Sequence, residues 1–185
     1  MFDLDRFIEA CVAAQADSEK AVREVVKKAV EDPAGAMKAL GEPREAGMKA
    51  LHHTDTLTIL NIVWTPLMNA EPHDHQMWAV IGVYTGGEDN IFWRRKENRI
   101  EAAGASSLRA GDADLLGWNI IHSVTNPTPK LTGSIHVYGG DFFTKKRSEW
   151  NPETLVEQPY DMARTDRFFD DGNALYKFMT EQARR

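Results

Sequence analysis

Glu71-Pro72-His73-Asp74-His75-Gln76-Met77-Trp78 sets two histidines two positions apart, just ahead of an apolar run that reaches Tyr84. In extended backbone, side chains at i and i+2 leave the chain on one face. His73 and His75 can therefore aim two imidazole nitrogens at a single point inside a sheet or barrel. Neutral imidazole is the commonest metal ligand. Paired histidines also occur on surfaces and as satisfied core groups, so the chain on either side has to decide between these readings.

That chain reads as short strands. Residues 56–64, 78–84, 91–95, 106–109, 113–116, 120–125 and 131–138 are rich in β-branched and apolar side chains. Between them lie residues 85–90 (Thr-Gly-Gly-Glu-Asp-Asn), read as a turn, then Gly111-Asp112, Gly117 and Asn126-Pro127-Thr128-Pro129. Many short strands at close spacing, punctuated by Gly, Pro and Asn, predict an all-β sandwich or barrel. No helix-length periodic segment interrupts them, which argues against a parallel α/β sheet.

Upstream, residues 1 to about 42 read as helical. Leu4, Phe7, Ile8, Cys11 and Val12 recur at helical spacing. Ser18 is placed to cap a second helix with Val22, Val25, Val26, Ala29 and Val30 on its apolar face. Asp32-Pro33 opens a third, which stops at Gly41. Cys11 falls on the apolar face of the first helix and reads as a buried structural thiol. Downstream, residues 151–171 are polar and proline-containing, with Trp150, Tyr160, Phe168 and Phe169 available to pin them to the body as a lid or as packing. Asp170 or Asp171 is expected to cap a last short helix from Asn173 to about Ala183. The expected organisation is one domain over residues 1–185: a helical region (1–43), a β-barrel (45–147) and a C-terminal extension (148–185).

At 185 residues the chain is long enough to bury a substantial core. Its formal net charge of −6 argues against broad contact with nucleic acid or anionic membrane. No window of about 18 apolar residues predicts a transmembrane helix, and the first residues do not read as a secretory signal. With a single cysteine, these features fit a reducing cytoplasm. Gly-x-Ser-x-Gly, P-loop and Gly-x-Gly-x-x-Gly motifs are absent.

A catalytic non-haem metal site usually takes three protein ligands and leaves positions open. The third ligand should come from another strand. His122 lies in a segment that runs from Gly111-Asp112 through Gly117 to Asn126. This segment resembles the second motif of the cupin superfamily, in which a turn glycine precedes a strand carrying His, with Asn four residues on. Leu115 stands near the place of that motif's frequent proline. The first cupin motif supplies His-x-His and usually a Glu four or five residues later. Ala79 and Val80 occupy those positions here, and the next acidic residue, Glu88, falls in the expected turn. The resemblance thus implies a jelly-roll double-stranded β-helix and a metal site of three histidines, His73, His75 and His122. Three neutral ligands leave the full 2+ charge of a divalent metal in place, which favours an anionic substrate atom such as a thiolate or enolate.

Ser134, His136 and Tyr138 sit at i, i+2 and i+4, so one strand face carries a hydroxyl, an imidazole and a phenol in a row. Ile135 and Val137 alternate with them and face the other way. The row reads either as a relay beside the metal or as a hydrogen-bonded core cluster. Together with the three histidines it resembles the thiol dioxygenases, the cupin group of cysteine dioxygenase and 3-mercaptopropionate dioxygenase. The resemblance covers residues 51–147. It implies Fe(II) on the three histidines (nickel, manganese or zinc also suit such a set), a small thiol and O2 as substrates, a sulfinate product, and Ser134, His136 and Tyr138 as a relay beside the bound thiol. The expected partners are the small-molecule substrate and O2, with no nucleic acid and no membrane, and the chain is expected to be a monomer or homodimer. Trp78 reads as a pocket wall or an ordinary core residue. Arg147 reads as a carboxylate anchor or, with Lys145 and Lys146, as a solvated charge run. His52 and His53 read as rim or surface residues. The Arg or Gln with which the family holds a substrate carboxylate has no match, since Met48 or Lys49 stands there. The cysteine that animal members cross-link to the tyrosine is likewise missing around Ala79. A non-thiol, enolisable substrate on the same three histidines, or a non-catalytic ligand-binding cupin, are the alternative readings.

Overall fold

The structure, a computed structural model, describes residues 2–183. Three helices come first: α1 (Leu4–Gln15), α2 (Glu19–Val30) and α3 (Pro33–Leu40). Each begins at a side chain that accepts a backbone N–H: Asp3 from Arg6, Ser18 from Ala21 and Asp32 from Gly35. Gly41 ends the third with a positive φ of 93°, a conformation that glycine adopts without a Cβ penalty.

Eleven strands follow among the described residues: β1 (Gly47–His53), β2 (Thr58–Trp64), β3 (Asn69–Asp74), β4 (Ala79–Thr85), β5 (Gly87–Lys96), β6 (Arg99–Arg109), β7 (Ala113–Leu116), β8 (Ile121–Thr125), β9 (Thr132–Tyr138), β10 (Ser148–Trp150) and β11 (Glu157–Pro159). They form two antiparallel sheets, ordered β1-β2-β9-β4-β7 and β11-β10-β3-β8-β5-β6. The pairing is nested: β2 lies on β9, β3 on β8, β4 on β7 and β5 on β6. A long ribbon of two antiparallel halves has folded over so that successive pairs alternate between sheets. That topology is the double-stranded β-helix, or jelly roll.

The alternation of side chains along β9 and β4 splits the interior into two cores. Ile135 and Val137 on β9, with Val80 and Tyr84 on β4, pack beneath α1 and α2. Tyr138 on β9, with Ala79, Ile81 and Val83 on β4, faces the second sheet. Both faces of β9 are covered, so every residue from Thr132 to Tyr138 is buried. The helix layer sits close: a Cβ on Gly82 of β4 would collide with Val26 and Val30 of α2. Cys11 is buried in that layer, and burial pushes its thiol up to about 12.

The C-terminal region departs from expectation in two ways. Strands β10 and β11 join the second sheet, which carries the β-structure to Pro159 rather than ending it near residue 147. The last helix, α4 (Met162–Gln182), starts about ten residues before the expected Asn173, with Asp161 rather than Asp170 or Asp171 as its cap. Gly172 lies inside the helix, where it passes Thr65 and Met68 closely. Asn173 then clamps the helix to the chain ahead of β1, accepting from Ala46 N at 2.7 Å and donating to Ala46 O at 2.9 Å. Among the described residues, no helix is long and apolar enough to cross a membrane.

Candidate metal centre

His73, at the end of β3, pairs in register with His122 on β8. His75 follows two residues on, just past the strand end. One ring nitrogen from each of the three histidines lies within 4.8 Å of the others. The rings are oriented from behind. His73 Nδ1 donates to Glu71 O at 2.8 Å, and a carbonyl can only accept. His122 Nδ1 donates to Asn90 Oδ1 at 2.8 Å. Both rings therefore carry their proton on Nδ1 and turn the Nε2 lone pair inward, which is how a metal-binding histidine is prepared. The Nε2 atoms of His75 and His122 are 3.3 Å apart. Nitrogens about 2.1 Å from a shared metal stand roughly 3 Å apart, so the spacing suits an ion between them.

Electrostatics agrees with this geometry. Burial is the main force holding the rings neutral, and it pushes His73 down to about 4. His75 and His122 fall well below their ordinary value, again through burial, with the neighbouring histidines adding to it. The donor set is thus three neutral imidazoles with no carboxylate among them, and it fits a divalent transition metal.

The histidines open on a cavity of about 210 Å³. Its apolar walls come from Met48 on β1, Ile62 on β2, Val124 on β8, and Phe168 and Phe169 on α4. The polar side holds Glu71, Glu149 and Arg164. Arg164 forms an ion pair with the buried Glu149, and its guanidinium lies 4.0 Å from the Glu71 carboxylate. Burial and the nearby Glu149 charge raise the Glu71 carboxyl, and Arg164 offsets part of that.

Tyr138 forms the wall beside the histidines, its ring centroid 5.0 Å from that of His75. Its hydroxyl is 3.0 Å from His136 Nδ1, and His136 Nε2 is 2.9 Å from Ser134 Oγ. The three side chains are thus a continuous hydrogen-bonded row in the inter-sheet core. Burial drives the Tyr138 phenol well above the ordinary tyrosine range, so it stays protonated. The row does not stop at Ser134. Its hydroxyl donates to Glu88 Oε1 at 2.5 Å, and Trp64 Nε1 donates to the same oxygen at 2.9 Å. Glu88 is completely buried.

Glu88 and Asn90 are the residues that the sequence reading missed. Both lie on β5, not in the turn expected over residues 85–90, and both point inward. Their spacing of two was the available sign; the Gly-Gly-Glu-Asp-Asn composition concealed it. Trp78 does not line the cavity. It has the parity of Val80 and so lies on the helix side of β4, with its indole against Gly139, where a side chain would collide with it. Arg147 also stands outside the cavity lining. Its guanidinium is sandwiched between the rings of Phe142 and Tyr160, 4.0 Å from each, and donates to Phe142 O at 2.6 Å. It is buried, not part of a solvated charge run. Met48 is the residue at the expected anchor position that reaches the cavity. His53 lies at the surface, bonded to Asp141 at 2.8 Å. Ala79 is directly opposite Tyr138, which leaves no thiol there to cross-link. Residues 151–171 supply Tyr160, Arg164, Thr165, Phe168 and Phe169 to the cavity wall.

No protein-family model matches the chain. Among solved structures it is similar to an uncharacterized conserved protein with a double-stranded β-helix domain from Klebsiella pneumoniae subsp. pneumoniae MGH 78578, at 13% identity over 65% of this chain and 89% of that one, with a TM-score of 0.44. A cupin family protein from Methanocaldococcus jannaschii is similar at 12% identity over 54% and 84%, TM-score 0.46. Oxalate decarboxylase from Bacillus subtilis is similar at 14% identity over 55% and 27%, TM-score 0.44.

Proposed function

We propose that the protein is a non-haem Fe(II) dioxygenase that converts a small thiol and O2 to a sulfinate. The observation that carries this reading is the meeting of two features in one cavity: three neutral imidazoles without a carboxylate, and a buried Ser134–His136–Tyr138 row whose phenol stands beside them. His73, His75 and His122 would hold the metal. An Fe(II) ion there supplies the redox chemistry through which both atoms of O2 reach sulfur.

The chain's own residues do the rest. Three uncharged ligands neutralise none of the metal's charge, so the site prefers a substrate that arrives as an anion, as a thiolate does. Phe168, Phe169, Ile62 and Met48 exclude water from the reacting end. Tyr138 keeps its proton and offers a fixed hydroxyl beside the histidines, and His136 and Ser134 restrict its motion. Arg164, already engaged by Glu149, lines the same cavity and offers a cation to a polar substrate tail.

One observation favours a second reading. Met48 presents a thioether where a carboxylate anchor is expected, which suits an enolisable, non-thiol substrate such as a β-diketone on the same histidines. Anaerobic Fe(II) loading followed by oxygen uptake with cysteine, 3-mercaptopropionate, cysteamine and a β-diketone separates the two. We expect uptake and a sulfinate product with at least one thiol. Uptake with the β-diketone alone rejects the thiol reading.

A further inference from the structure

Glu88 is a fully buried carboxylate that, among the described residues, pairs with no lysine or arginine, and its Oε2 has no hydrogen-bond partner among them. Everything it touches through Oε1 belongs to one chain of donors: Trp64 Nε1 at 2.9 Å, Ser134 Oγ at 2.5 Å and His136 Nε2 at 3.3 Å. We propose that Glu88 sets the direction of the hydrogen-bond chain, pairing with a doubly protonated His136 so that Tyr138 turns its hydroxyl proton toward the metal cavity.

The argument is a count of protons. Ser134 has one hydroxyl hydrogen, and at 2.5 Å from a carboxylate that hydrogen belongs to Glu88. Toward His136, Ser134 can then only accept, so Nε2 carries a proton. Two states remain for the other side of the ring. With a neutral His136, Nδ1 is a lone pair and takes the hydrogen of Tyr138, which points the phenol proton away from the cavity. With His136 protonated at both nitrogens, Nδ1–H donates to the phenol oxygen across 3.0 Å, and the phenol hydrogen is free to face the histidines. Charge selects between them. A carboxylate buried without a counter-charge is strongly disfavoured, and among the described residues His136 is the ion-pairing partner of Glu88. Glu88 is a positioning residue: it acts on the cavity through Ser134, His136 and Tyr138 and touches no ligand histidine.

The direction of the chain stands on the hydrogen-bond geometry and the buried charge of Glu88, whereas its consequence for turnover rests on the function proposed above. The two are tested separately. In the Zn(II)-loaded wild-type protein, with 15N-labelled histidine, we expect both His136 ring nitrogens at pH 7 to resonate as protonated N–H. A single unprotonated nitrogen on His136 overturns the proposal, and this measurement needs no variant. In Glu88→Gln, which keeps the shape and removes the charge, one His136 nitrogen should lose its proton. Retention of both protons there also overturns the proposal. With Fe(II) and a productive thiol, Glu88→Gln should lower kcat about 10- to 100-fold at unchanged metal content and KM. An unchanged kcat removes the catalytic consequence. If no thiol is oxidised by the wild type while the nitrogen signals behave as expected, the proposed reaction fails and the role of Glu88 survives.

Discussion

Asn90 Oδ1 holds the Nδ1–H of His122 at 2.8 Å, and that contact fixes both the tautomer and the tilt of a buried ring. Asn90→Ala keeps all three ligands but frees the third. Metal affinity is expected to fall about 10- to 100-fold, as it does when an outer partner of a ligand histidine is lost. His122→Ala, by contrast, should leave no stoichiometric metal after dialysis. Metal analysis of both variants decides the point, and iron retained at one per chain in His122→Ala would remove His122 from the ligand set. Tyr138→Phe deletes one hydroxyl from the wall of the same cavity. We expect its metal content to match the wild type and its turnover to drop about 100-fold; an unchanged rate would make Ser134, His136 and Tyr138 a core cluster only. At this scale the sequence was readable where chemistry repeats at a spacing of two. His73 and His75, and then Ser134, His136 and Tyr138, announce a shared face on a strand. Glu88 and Asn90 obey the same rule but follow two glycines and flank an aspartate. Their composition says turn, and only pairing with β8 and β6 overrides it.

The element that closes the cavity, α4, was the hardest to read. Its first turns come from the polar stretch after Pro159, and Gly172 interrupts its helical pattern, so local propensity points to a later start. Tertiary contact decides otherwise. Phe169 packs on Trp64 with ring centroids 5.7 Å apart, and Asn173 makes two bonds to Ala46. Because Phe169 is buried between the helix and the cavity, Phe169→Ala should cost about 3 kcal/mol of folding stability. It should also enlarge the cavity enough to admit bulkier substrates. A urea titration of the metal-free variant measures the first effect. A loss under about 1 kcal/mol would mean that α4 opens independently of the barrel and acts as a mobile lid.

Across the whole molecule, an all-β sandwich or barrel was legible because strand after strand alternates between two environments, and the resemblance of two motifs to cupins implied the double-stranded β-helix. The same alternation explains why Trp78, one residue out of phase with Ala79, belongs to the helix layer and not to the cavity. What no local pattern conveys is the nesting that pairs β5 with β8 and sets it against β9 of the other sheet, and with it the buried polar network. That network gives the molecule a characteristic response to acid. His73 is held neutral down to about 4, and His75 and His122 are lowered well below 6.5, so the unfolded chain takes up protons near pH 6.5 that the folded chain refuses. The unfolded state binds more protons in that window, so stability must fall as pH is lowered from about 6.5 toward 4. The lowered carboxyls of Asp89, Asp141 and Glu157 act differently. Their contribution is intact above the ordinary carboxylate range and is lost only as pH falls below it, through their folded-state values. The two groups of residues therefore separate along the pH axis. In metal-free protein, the thermal midpoint should begin to drop between pH 6.5 and 5, before any of these lowered carboxylates contributes. His73→Gln, which removes one of the refused protons, should flatten that early slope. A wild-type midpoint that stays level from pH 7 to 5 would show that the three rings are not held neutral by burial, and would remove the physical basis for an uncharged ligand set.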